Sequence, residues 1–287
     1  MPMSDKYPPQ SGRRRFVKGM VGSGVASAGA TGGSVVADVT TNESGIDAGS
    51  TRFVGIANTA GPAPRGMPLI PIEIDDGEVK GRYPETVEKE TEDGSTYQSA
   101  EEELGGLTYS VRWFQFCGVE RAAGIQPTAD QDDFLRAGGT YSWQGELDSR
   151  EVLRVEHFDD YEEWGNGVGT AGLGKPAKAY WRSEGEDVTD IPVIVMRSPE
   201  VPKMIAGEGK YANLSESVRT FLDAATANGF VAWLDKCTHF CCVPSFKASG
   251  SAKFGAENKV YCQCHQSVYD PFSPRLLTFA ARPRPEP

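Results

Sequence analysis

The sequence lacks any run of about 18 or more strongly apolar residues, the length that a transmembrane helix requires, so most of the chain is expected to be water-soluble. It also lacks an excess of positive charge, because 40 acidic residues against 29 basic ones give a formal net charge of -11. This balance argues against nucleic acid or an anionic membrane surface as the main partner. A solvated acidic surface, of the kind that salt-adapted proteins carry, is the simpler interpretation.

The N-terminal residues 1–37 differ from the rest of the chain. The run RRRFVK at 13–18 resembles a twin-arginine export signal, although Gly12 stands where Ser or Thr is usual. A weakly apolar segment follows at 20–37, and the small residues at 26–28 offer a cleavage site. We interpret residues 1–37 as a signal that is either cleaved or retained as a membrane anchor, with a disordered basic tail as the alternative.

Gly, Pro, Thr and acidic residues dominate 38–105, and this composition predicts a linker with sparse strands. Strand and turn patterns prevail at 106–287. We therefore expect one mostly β domain at 106–287, which follows the linker and the N-terminal segment.

Hydrophobic periodicity places individual elements in this domain. Alternating apolar residues predict a strand at 107–113, and a second apolar run predicts one at 191–196. Pro192 in that second run indicates an edge strand or a strand start, because proline cannot donate to a central ladder. Helical spacing at 214–227 is followed by a predicted strand at 230–234.

Cysteine and histidine are scarce and unevenly distributed. The chain has six cysteines and three histidines, and all but one of each lie between Cys237 and His265. They form two boxes, CTHFCC at 237–242 and CQCHQS at 262–267, which contain one C-x-H and one C-x-x-H. Because thiolates and imidazoles are the usual ligands of soft and borderline metals, the clustering predicts a metal centre. His157 lies outside it and is interpreted as an ordinary histidine.

The two boxes resemble those of the Rieske family, in which two cysteines bind one iron of a 2Fe-2S cluster and two histidines bind the other. The match is strong over 230–272. It implies a disulfide between Cys242 and Cys264 that joins the two loops. It also implies that Ser267 and Tyr269 donate hydrogen bonds to a bridging sulfide and to a ligand sulfur. Four side chains would ligate the cluster: Cys237, His239, Cys262 and His265.

The resemblance further implies a Rieske-type antiparallel β domain with a small cluster-binding subdomain at about 233–275. In this family, neutral imidazoles raise the reduction potential of the cluster, so it accepts an electron from quinol. A cytochrome b-like membrane subunit would be the partner, with His265 as the ligand that contacts quinol. A cytochrome or a copper protein would be the downstream acceptor. The protein would lie at the extracytoplasmic face of the cell membrane.

The sequence departs from the family pattern near both boxes. Cys241 stands where the first box usually has glycine, which predicts a differently shaped loop or an additional covalent bond. Two alternatives are therefore considered for this pair: a Cys117–Cys241 disulfide, or two buried free thiols. Gln266 replaces a second glycine, beside the histidine edge where quinol would dock. Residues 282–285 loosely resemble the proline loop that shields the cluster in this family.

Other functions are open from the sequence. A second candidate is the small subunit of an exported molybdenum oxidoreductase, such as an arsenite oxidase-like enzyme, which shares the export signal and in which the cluster only relays electrons. A ferredoxin of a ring-hydroxylating oxygenase is a third candidate. Such proteins usually lack the disulfide and the export signal, so Cys242 and Cys264 count against it. A structural Cys2His2 zinc site is the main non-redox alternative, but it explains neither Cys242 and Cys264 nor the residues that follow the second box.

Overall fold

The computed structural model describes residues 50–84, 86–90, 94, 96–114, 132–167, 169–183, 190–246 and 255–280. Four short 3-10 turns lie at Val111–Phe114, Ser142–Glu146, Val155–Phe158 and Gly209–Tyr211. Two α-helices are α1 (Glu200–Ala206) and α2 (Glu216–Ala225). The strands are β1 (Ser50–Ala60), β2 (Met67–Ile70), β3 (Ile72–Asp75), β4 (Glu78–Gly81), β5 (Thr86–Glu90), β6 (Thr96–Leu104), β7 (Leu107–Ser110), β8 (Arg136–Ala137), β9 (Lys175–Tyr180), β10 (Pro192–Arg197), β11 (Phe230–Leu234), β12 (Ser245–Phe246), β13 (Val260–Tyr261) and β14 (Val268–Ala280).

Nine of these strands form one antiparallel sheet in the order β12-β13-β14-β1-β2-β11-β10-β9-β8. β3 and β4 form a separate hairpin, and β5, β6 and β7 form a three-stranded sheet. The longest pairing joins β1 to β14, from Ser50 opposite Ala280 to Ala60 opposite Val268. The predicted mostly β, antiparallel fold is confirmed.

The core includes a group of aromatic side chains and one face of α2. Trp113 lies 5.2 Å from the Tyr109 ring and 5.3 Å from the Phe221 ring, measured between ring centroids. α2 buries Val218, Phe221, Leu222 and Ala225, the spacing of one helical face. Ser215 caps its N-terminus by accepting a hydrogen bond from the Val218 amide. The helix predicted at 214–227 is therefore present, although shorter.

The sequence-based interpretation of 38–105 as a linker is wrong from Ser50 onward. β1 lies inside the main sheet, paired with β14 on one side and with β2 on the other. Its centre, from Phe53 to Ala57, is buried. These strands were hidden because the pairing of β1 with β14 joins distant parts of the chain, which local composition does not report. The domain therefore begins before residue 106.

A strand start and a turn explain sequence signals near the helix and the central strands. Pro192 is the first residue of β10, which pairs with β9 and β11, so it marks a strand start and not an edge. Asn228 and Gly229 have φ values of 48° and 77°, and Phe230 N donates to Ala227 O at 2.8 Å. This two-residue turn leads into β11 and requires the left-handed conformations that Asn and Gly tolerate.

Several sequence-based expectations fall outside the described residues. These are the signal or anchor at 1–37, residues 38–49 of the linker, Cys117 and the proline-rich 282–285. Among the helices that the structure describes, none combines the length and the apolar character needed to cross a bilayer.

Candidate metal centre

The two cysteine–histidine boxes fold into loops with the same backbone hydrogen bonds. The first loop, 237–242, follows β11, and the second loop, 262–267, connects β13 to β14. In the first loop the Cys237 amide donates to the Cys242 carbonyl at 2.7 Å, and the Cys241 amide donates to the Cys237 carbonyl at 2.9 Å. The bonds of the second loop are Cys262 N to Ser267 O at 2.9 Å and Gln266 N to Cys262 O at 2.8 Å.

The fifth residue of each loop adopts the left-handed conformation. Cys241 and Gln266 both have φ of 63°, although neither is glycine. A side chain in this conformation costs about 1–2 kcal/mol. Two outcomes were expected for Cys241, a differently shaped loop or an additional covalent bond. The structure shows the second, since both loops keep a backbone that favours glycine and Cys241 is disulfide-bonded.

Disulfides hold the first loop. Cys242 and Cys264 are bonded, which joins the two loops and confirms the pairing that the family resemblance implies. Cys241 is also disulfide-bonded, so it is not a free thiol. Cys117, its suggested partner, lies outside the described residues.

The four predicted ligands are arranged as two buried sulfurs and two outer imidazoles. Cys237 and Cys262 are fully buried thiols. His239 is half-buried and His265 is exposed, with ring centroids 4.7 Å apart and ring planes at 88°. Nδ1 of His239 is buried and has no hydrogen-bond partner among the described residues. A buried ring nitrogen without a partner is costly, and a metal bond would satisfy it.

The two thiols share a hydrogen bond, which separates their proton affinities. The bond from Cys262 and a second one from Tyr269 lower the pKa of Cys237 to about 5. The same bond to Cys237, together with burial, raises the pKa of Cys262. Metal binding would displace the remaining proton, because thiolates are the ligating form.

Tyr269 connects the first loop to β14. Its hydroxyl oxygen lies 3.2 Å from Cys237 Sγ and accepts a hydrogen bond from the Thr238 amide at 3.1 Å. Since the oxygen already accepts from Thr238, the hydroxyl proton is available to the Cys237 sulfur. Burial raises the pKa of Tyr269, so the hydroxyl keeps its proton and remains a donor.

A proline-rich segment, GPAPRG at 61–66, lies against both loops. The Ala63 amide donates to Ser267 Oγ at 3.2 Å, which leaves the proton of this buried hydroxyl to be donated elsewhere. The Arg65 carbonyl accepts from Thr238 Oγ1 at 2.7 Å. Sequence reasoning missed this segment and assigned a covering role to 282–285. The alternating prolines between two glycines were the signal that could have identified it.

We predict that Gly61→Ala loosens the second loop. Gly61 has φ of 85°, and a Cβ there would lie 2.5 Å from the Gln266 carbonyl oxygen. Conformational strain and overpacking together should lower the free energy of unfolding by about 2–4 kcal/mol, measured in urea. Gly106→Ala is the matched control, because Gly106 has φ of 75° but no atom within 4 Å of the added Cβ. Equal losses in the two variants would contradict the contact.

Lys178 and Asp235 form a buried ion pair next to the first loop. Lys178 on β9 donates to the Asp235 carboxylate and, at 3.1 Å, to the Pro244 carbonyl. Asp235 precedes the first loop and Pro244 follows it, so one side chain connects both ends. The Gln144 side chain in turn bonds the Lys178 amide at 3.0 Å and its carbonyl at 2.8 Å. Lys178 and Gln144 thereby fix the position of the first loop.

One other group of sulfurs converges at this site. The sulfurs of Cys242, Cys262 and Cys264 lie within 4.8 Å of one another. Two of them are joined as a disulfide, and only thiolates ligate metals well, so we do not regard this trio as a ligand set.

No family model matches the chain, and no curated protein or solved structure is significantly similar to it. The interpretation of the site therefore depends on its own residues: two matched loops, two buried thiols, two outer imidazoles and a disulfide between the loops.

Proposed function

We propose that this chain holds a Rieske-type 2Fe-2S cluster in a small cluster-binding part of an antiparallel β domain. Cys237 and Cys262 would bind one iron, and His239 and His265 the other. The observation that carries the proposal is the matched geometry of the two loops, each of which presents one buried thiol and one outer imidazole. The Cys242–Cys264 disulfide then holds the loops together around the centre.

The spacing of the four side chains favours a two-metal centre over a single zinc ion. Tetrahedral zinc has bonds of about 2.0–2.3 Å and would draw all four ligand atoms together. Among the described residues, however, the set that converges within 4.8 Å is the trio Cys242, Cys262 and Cys264. Ligands divided into a sulfur pair and an imidazole pair suit a cluster in which each pair serves its own iron.

We propose electron transfer from quinol, in a cytochrome bc-type complex, to a cytochrome or copper-protein acceptor. When bound, the cluster would supply a one-electron acceptor of raised potential. His265 is exposed, so the ring nitrogen that does not face the cluster would be accessible to a quinol hydroxyl and could take its proton. Tyr269 would donate to the Cys237 sulfur and so stabilise the more negative, reduced state.

The surface around the histidines suits a membrane partner. Phe240 is 66% exposed, and its ring centroid lies 4.2 Å from that of His239 and 5.1 Å from that of His265. Val243 beside it is 45% exposed. Exposed apolar side chains next to a site commonly mark an interaction surface, which supports docking to a cytochrome b-like subunit at the extracytoplasmic membrane face.

A redox titration followed by electron paramagnetic resonance tests this function. The purified protein should be coloured and contain iron and acid-labile sulfide in equal amounts. Its potential should fall as pH rises, because reduction is coupled to proton uptake on the ligand histidines. A colourless protein that holds zinc would reject the cluster. A low potential that does not change with pH would retain the cluster and reject quinol as its donor.

We predict that Tyr269→Phe keeps the cluster but lowers its potential. The ring still fills its buried position, while the hydrogen bond to the Cys237 sulfur is lost and the reduced state is less stable. Tyr141→Phe is the control: its buried hydroxyl bonds the backbone of Phe246 at 3.0 and 3.1 Å. That change should lower thermal stability and leave the potential in place. An unchanged potential in Tyr269→Phe would contradict the assigned role.

A further inference from the structure

Cys262 is a free thiol next to a disulfide. Its sulfur lies within 4.8 Å of both sulfurs of the Cys242–Cys264 bond. The three cysteines also line one surface cavity of about 280 Å³. A thiol held beside a disulfide is the arrangement that thiol–disulfide exchange requires.

We propose that, in the metal-free chain, Cys262 exchanges with the Cys242–Cys264 disulfide to give a Cys242–Cys262 disulfide and a free Cys264. The exchange consumes a buried thiol of the candidate metal centre. It needs only the three neighbouring sulfurs, so it does not depend on which metal or cluster the site holds.

The direction of attack follows from the exposure of the two disulfide cysteines. Cys264 is exposed, whereas Cys242 is half-buried. Attack on the Cys242 sulfur expels the Cys264 thiolate, which water solvates directly. Attack on the Cys264 sulfur would instead expel Cys242 from a less solvated position. A better leaving thiolate makes the first path faster.

The exchange balances without an external oxidant. The bond between the Cys242 and Cys264 sulfurs breaks as a bond between the Cys242 and Cys262 sulfurs forms. Cys262 loses its proton to water, and the three sulfurs line one surface cavity. Cys264 is released as a thiolate and takes a proton from water. The number of thiols and of disulfides in the chain stays the same.

The product keeps the connection between the loops. Cys242 lies in the first loop, and both Cys262 and Cys264 lie in the second, so either disulfide constrains nearly the same length of chain. The exchange therefore loses little of the stabilisation that the original bond provides. A bound metal would occupy the Cys262 sulfur and prevent the reaction, which makes early metal loading a condition for a functional site.

Alkylation of the metal-free chain tests this inference. The full chain is stripped of metal with a chelator under anaerobic conditions, kept without added thiol for minutes to hours, and then unfolded in denaturant that contains N-ethylmaleimide, so that buried thiols are labelled too. After tryptic digestion, fragment ions on either side of Gln263 show whether Cys262 or Cys264 carries the alkyl group. We expect the label to move from Cys262 to Cys264 at constant total thiol, with Cys242 unlabelled throughout.

Three outcomes would overturn the proposal. The label could stay on Cys262, the total thiol could fall through a Cys237–Cys262 bond, or labels could spread to Cys241 and Cys242 as in an unfolded chain. In Cys262→Ser the nucleophile is absent, so Cys264 must stay unlabelled. In Cys237→Ser the nucleophile remains, so the label must still reach Cys264. A colourless wild-type protein would reject the proposed cluster but leave this assay decisive.

Discussion

The His265→Ala variant should be purified without a 2Fe-2S cluster. In the proposed cluster it removes one of the two imidazoles that would bind the same iron, and alanine offers no replacement ligand. Since His265 is exposed, the loss of its side chain leaves no buried cavity, and the fold should survive. Colour, iron content and the electron paramagnetic resonance signal should all disappear. Circular dichroism should show an unchanged content of strands.

His157→Ala is the matched control for this loss. His157 is half-buried in a 3-10 turn, where Nδ1 accepts from the Arg154 amide at 3.1 Å and Nε2 lies 3.6 Å from Glu151. It takes no part in either loop, so this variant should keep the full cluster content. A cluster retained in His265→Ala would remove His265 from the ligand set. Loss of the cluster in both variants would instead indicate a general effect of destabilisation.

The site could be predicted in outline from the sequence because each loop is local. The residues of one box are neighbours along the chain, and short hydrogen bonds such as Cys241 N to Cys237 O close the loop without help from distant segments. The Cys242–Cys264 pairing was accessible through the family resemblance. Periodicity likewise located α2 and β11, whose signals are contained in a few consecutive residues.

The rest depends on contacts between distant parts of the chain, which the sequence pattern does not report. β1 pairs with β14, and the proline-rich segment at 61–66 reaches Thr238 and Ser267 only because that pairing brings it there. Composition alone favours a linker for the same residues. Likewise, nothing in the local pattern indicates that Lys178 on β9 lies beneath the first loop.

The Lys178→Met variant should lose about 3–5 kcal/mol of stability, the usual cost of leaving one partner of a buried ion pair alone. Lys178 and Asp235 have side chains that are 8% and 0% exposed. Asp235 Oδ1 has no hydrogen-bond partner among the described residues, so its charge depends on Lys178. Urea unfolding of the metal-free chain measures the loss. In the double variant Lys178→Met/Asp235→Leu most of the stability should return, because apolar side chains of similar volume replace such pairs well.

The same pair should also affect the potential of the proposed cluster, with opposite signs for its two members. Lys178→Met leaves an uncompensated carboxylate two residues from Cys237, which disfavours the added electron and lowers the potential. Asp235→Asn leaves an uncompensated ammonium and should raise it. If the ion pair only held the first loop in place, both variants would loosen that loop. Their potentials would then not shift in opposite directions. Lys203→Met is the control, since this lysine is 50% exposed and pairs with Glu200 on α1. If the potential shifts in the same direction in both variants, the ion pair affects the cluster by positioning the first loop and not by its charges.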